Sequence, residues 1–148
     1  MGDKISRKSA REIAVQLIYS SEFSTFDITD FSESRFAELA EECDIYQGTI
    51  DDVQRNYIES ILNLYQENHE SIDACISKYA KGWSISRLSS TARAVLRCAV
   101  CEIMYMDDIP DGVAIDSAVE IAKGYDDEDT VAYINGVLGG IVRGERND

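Results

Sequence analysis

Three cations and one aromatic ring stand close together near the start of the chain. They are Arg7, Lys8, Arg11 and Tyr19, within "SRKSAREIAVQLIYSSEF" at residues 6–23. Guanidinium and ammonium groups at this density can dock an anion, and a nearby ring adds a flat apolar surface. The remaining composition opposes such a partner. The formal net charge of the 148 residues is -14, and residues 22–73 hold fourteen acids against two bases. A polyanion is repelled by such a surface as a whole, so only a local field attracts one. A second basic island spans residues 74–97, where five cations, including Arg93 and Arg97, meet no carboxylate.

Other reactive groups are weaker candidates. Cys98 and Cys101 form a CxxC, the spacing of metal and redox sites, but inside "AVLRCAVCEIMYM", a continuous helical pattern without turn or glycine. No second pair exists, and His69 has no partner at ligand spacing. Buried thiols are the expectation, with no metal and no cofactor. The run Asp126, Asp127, Glu128, Asp129 lacks the alternating ligands and glycine of a calcium loop and reads as a solvated turn. Glu41 and Glu42 accompany no visible nucleophile or glycine-rich phosphate loop, so the chain reads as a non-enzyme. No signal peptide is visible, and Arg97 and Glu102 interrupt the longest apolar run. A cytoplasmic protein without a membrane span is expected.

These groups need helices to position them. Ala10, Ile13, Ala14, Leu17 and Ile18 recur at helical spacing and form one apolar stripe. Arg11, Val15 and Tyr19 form a second stripe, with Arg7 and Lys8 beside it, so one face buries aliphatic groups while its neighbour displays cations and a ring. An ordinary solvated helix face fits the same residues. "SESRFAELAEEC" predicts a short helix, and residues 50–65 a long amphipathic one. Ser71 is expected to cap a separate helix ending before Gly82. Residues 91–106 are apolar nearly all round, which places them at a bundle centre. "AIDSAVEIAKG" predicts a helix capped by Asp116, with Gly124 just past its end. The last helix would be capped by Asp129 or Thr130, with Gly136, Gly139 and Gly140 packed closely against a neighbour. About seven helices result, in an all-α chain of one domain.

Two blocks carry a family resemblance. "SRKSAREIAVQLIYSSEFS" resembles the basic start and first helix of the transcription antitermination factor NusB family. The segment from "VLR" through "DIP" and "EIAK" to "INGVL" is similar to that family's C-terminal run. The resemblance implies a compact all-α bundle of two small helical subdomains, with residues 1–148 as a single RNA-binding domain. It implies binding of boxA-type single-stranded RNA with ribosomal protein NusE, in an RNA polymerase antitermination complex acting on ribosomal RNA operons. Carried over by position, Arg7, Lys8, Arg11, Tyr19, Asp129 and Tyr133 would face RNA. Arg93 would lie near the NusE interface. Arg97 is equally a structural arginine, buried against Glu102 or Glu120. Two cations of the family pattern are missing, because Ser9 and Ala132 occupy their positions. The acidic turn also lies beside Tyr133, so weak intrinsic RNA binding is expected, needing the partner protein. The alternative is a NusB-like relative associating only with protein, such as a homodimer covering the basic arm.

Overall fold

The computed structural model describes residues 5–23, 50–80 and 87–146. Five α-helices occur among them. The helix expected in "SESRFAELAEEC" lies outside the described residues, as do Cys43 and Gly82.

Helix α1, Arg7–Ser21, starts where the Ser6 hydroxyl accepts a hydrogen bond from the Ser9 amide at 3.1 Å. Its expected apolar stripe is buried, and Arg11 and Val15 are buried too. Helix α2, Asp52–Tyr79, is capped by Asp51, whose carboxylate accepts from the Gln54 amide at 2.9 Å. It runs through Ser71 instead of restarting there. Asn68 has non-helical angles (φ -122°, ψ 15°), and its side-chain amide donates to the Leu64 carbonyl at 2.9 Å. A polar side chain inserted into the ladder kinks a helix without ending it. The two expected helices are therefore one bent helix. Val53, expected on the apolar stripe, is exposed.

Helix α3, Ser90–Tyr105, begins at the Ser89 cap and buries residues on most sides. It packs against all four other described helices. Helix α4, Asp111–Ala122, starts directly after Pro110 and not at Asp116, which is exposed within it. Proline fixes a φ compatible with a helix start and lacks only a donor that the first turn leaves unused. Gly124 does follow the helix end, its amide bonded to the Ile121 carbonyl at 3.0 Å. Helix α5, Glu128–Arg146, is capped by Asp127, which accepts from the Thr130 amide at 2.8 Å. The cap thus precedes both expected residues.

α1 and α2 pack on each other and on α3, as do α4 and α5, while α2 also touches α5. The two helix groups share one hydrophobic core centred on α3. Close approach to α5 occurs at Gly144, where a Cβ would lie 2.6 Å from carbons of the Tyr79 ring. Gly140 would make ordinary contact with that ring, and Gly136 faces open space.

Candidate nucleic-acid interface

The cations expected on one solvent face of α1 divide into two environments. Lys8 is exposed. Arg7 is half-buried; its Nε donates to Gln54 Oε1 at 2.8 Å, and its guanidinium carbon lies 4.4 Å from the Tyr57 ring centroid. Arg11 departs from the expectation. It is 6% exposed, and its Nε donates to Glu102 Oε1 at 2.7 Å. The Tyr57 hydroxyl donates to the same carboxylate oxygen at 2.8 Å. Burial opposes the Arg11 charge, but the Glu102 carboxylate outweighs it and holds the guanidinium above its ordinary pKa. Arg11 joins α1 to α3 and is not on the solvent-facing stripe.

That exposed stripe runs Lys8, Glu12, Gln16, Tyr19 and Phe23, spaced three or four residues apart with Glu12 and Gln16 half-buried. Tyr19 is 37% exposed and Phe23 is 63% exposed, their ring centroids 5.1 Å apart and tilted. Gln16 Nε2 donates to the exposed Tyr125 hydroxyl at 3.2 Å. This contact brings the α4–α5 turn, with Asp129 just beyond it, to the side of α1. Asp129 is exposed in the first turn of α5. Tyr133, one turn later, is half-buried against the core, and burial raises its phenol pKa.

Two carboxylates of the acidic turn also serve helix starts. Asp126 accepts from Ser89 Oγ at 2.9 Å and Thr91 Oγ1 at 3.2 Å, at the positive end of α3. The Asp127 carboxylate faces its own helix, and the Thr130 amide holds its pKa below the usual value. Asp127, Glu128 and Asp129 are nevertheless exposed, so most of the turn's formal charge faces solvent, as expected.

Arg93 is also engaged. It forms a two-point pair with Glu22, Nε to Oε1 and a terminal nitrogen to Oε2, both at 2.8 Å. Arg97 bonds the same glutamate and forms a second two-point pair with Asp73, at 2.9 and 3.0 Å. Its partners are therefore not Glu102 or Glu120. Arg93, then Arg97, keep the Glu22 carboxylate below its ordinary pKa. These pairs tie the end of α1 to α2 and α3, so Arg93 offers an anchored charge, and much of the second basic island serves the fold.

Cys75, Cys98 and Cys101 are buried free thiols. Burial, then Glu102, raises Cys101 to about 12 and Cys98 well above the usual thiol value. Thiols so disposed are poor nucleophiles. Among the described residues, no cluster of three His, Cys, Asp or Glu could hold a metal ion. No helix there is long and apolar enough to cross a membrane.

Gln16, Phe23, Gln54, Tyr57 and Tyr125 were absent from the sequence-derived set. The first two are legible in retrospect, because they continue the Lys8–Tyr19 spacing. The others depend on contacts between distant segments.

The fold is an all-α helical bundle whose first helix and the turn after it expose Lys8, Tyr19 and Phe23. The chain belongs to the NusB family, which its sequence matches over residues 8–143. It is 38% identical over 139 residues to the transcription antitermination protein NusB of Acetivibrio thermocellus, covering 94% of this chain and 90% of that one. Its fold resembles T. maritima NusB with a TM-score of 0.78 at 32% identity, covering 95% and 93% of the two chains. It also resembles a chain from the crystal structure of antitermination factors NusB and NusE in complex with dsRNA. There the TM-score is 0.76 at 26% identity, with coverage of 93% and 96%.

Proposed function

We propose that this chain is a cytoplasmic, non-enzymatic antitermination factor whose single domain spans residues 1–148. It binds boxA-type single-stranded RNA together with ribosomal protein NusE and supports ribosomal RNA transcription within an RNA polymerase antitermination complex. The observation that carries this reading is the stripe from exposed Lys8 past half-buried Glu12 and Gln16 to exposed Tyr19, extended by the Gln16–Tyr125 contact to the turn before Asp129. Arg7 and Lys8 would neutralise phosphates, and Tyr19 would stack an unpaired base. Asp129 and Tyr133 would border the strand from α5. Arg11 would act from beneath by fixing α1. Arg93 would shape the NusE-facing side by holding Glu22. Support comes from the relative named as an antitermination protein and from the similar chain in a structure of NusB and NusE with dsRNA.

The test is a titration of a labelled boxA-type single strand and its duplex form, with and without NusE, at several salt concentrations. Two phosphate contacts predict a log–log salt slope of about -1.4 for the single strand. Charge reversal at Arg7 and Lys8 should flatten it. No binding even with NusE would overturn the RNA reading and favour association with protein alone.

A further inference from the structure

Resting on that RNA reading, we infer that Gln54 and Tyr57 are positioning residues. They fix the Arg7 guanidinium at a groove where it receives a backbone phosphate. The groove lies between the starts of α1 and α2 and the turn after α3, lined by Arg7, Asn56, Tyr57, Ser60, Met106 and Asp108.

Arginine is the longest flexible cation, and an unrestrained one loses much rotamer freedom when it binds. Here that ordering is built in. The Gln54 carbonyl takes the Nε–H at 2.8 Å, and the guanidinium lies over the Tyr57 ring at 4.4 Å. Nε is the inner donor of the fork. Its use by Gln54 leaves the terminal nitrogens as the edge suited to two phosphate oxygens. The ring is itself held: Tyr57 is 3% exposed, and its hydroxyl bonds Glu102, which Arg11 anchors from α1. Gln54 lies in the first turn of α2, where its own amide is capped by Asp51. Helix α2 therefore constrains one half-buried cation of α1.

The decisive experiment is a double-mutant cycle between Gln54→Ala and Arg7→Ala, read with the boxA-type strand and NusE. Gln54→Ala keeps the backbone donor to Asp51, so the α2 start survives, and a melting curve checks this. Freeing one rotamer-rich side chain predicts a roughly 2- to 12-fold loss of affinity. That loss should vanish when Arg7 is already alanine. In the free protein, Gln54→Ala should also remove the protection of the Arg7 Nε–H signal in a 15N NMR spectrum. Tyr57→Phe, which keeps the ring, should bind better than Tyr57→Leu. An equal Gln54→Ala loss with and without Arg7, or no loss at all, overturns the positioning role and leaves the RNA reading intact. Failure of the unaltered protein to bind overturns both.

Discussion

The Glu102 carboxylate is 1% exposed and accepts bonds from Arg11 and Tyr57, which belong to different helices. A buried ion survives only when its partners replace lost water, so removing one partner costs more than removing the pair. Glu102→Gln leaves the Arg11 guanidinium buried without its countercharge. It should cost about 3–5 kcal/mol, read as a lower urea midpoint at unchanged slope. Replacing Arg11 and Glu102 together by apolar residues of similar volume should cost far less. This pair also marks where sequence reasoning stopped. Helical spacing groups Arg11 with Val15 and Tyr19 on one stripe. Whether that stripe meets water or another helix depends on a partner 91 residues away. Periodicity contains no such information, and the partners of Arg97, Asp73 and Glu22, escaped it for the same reason.

Among the helices, α1, α3 and the body of α5 were legible because their apolar residues recur at helical spacing. Legibility failed where one local signal stood in for geometry. Ser71 has the chemistry of a cap, yet Ile72, Cys75 and Ile76 continue the buried side of α2 past the Asn68 bend. Pro110 marks a helix start as readily as a stop, which hid the first turn of α4. The glycines of α5 expose the limit most clearly, because their tolerance depends on the facing residue. Gly136→Ala meets nothing within 4 Å and should stabilise by about 0.5–1 kcal/mol through helix propensity. Gly144→Ala drives a methyl into the Tyr79 ring and threatens the hydroxyl bond from Tyr79 to Glu145 at 3.1 Å. It should destabilise by about 1–3 kcal/mol despite the same propensity gain. Thermal melts of the two variants, displaced in opposite directions, test the contrast.

At the scale of the whole molecule, one shared core predicts one cooperative transition. Every described helix packs on α3, which buries Cys98 and Cys101 at 3% and 0% exposure. Alkylation of these thiols should follow global unfolding, tracking the loss of helical signal across a urea series. Pulsed alkylation beside circular dichroism tests this; thiols reacting while the helices persist would contradict the shared core. Net charge was the least informative property for function. The total of -14 conceals Asp126 and Asp127 turned into helix starts, and Arg93 and Arg97 spent on Glu22 and Asp73.

Arg11 and Glu22 bolt α1 to its neighbours near both ends. A helix so fastened behaves as a ruler. Lys8 and Tyr19 sit eleven residues apart along it, a fixed span of about 16 Å. A strand that must place a phosphate at one mark and a base at the other conforms to that interval by bending itself. Spacing along the nucleic acid would then be measured by a rigid protein backbone.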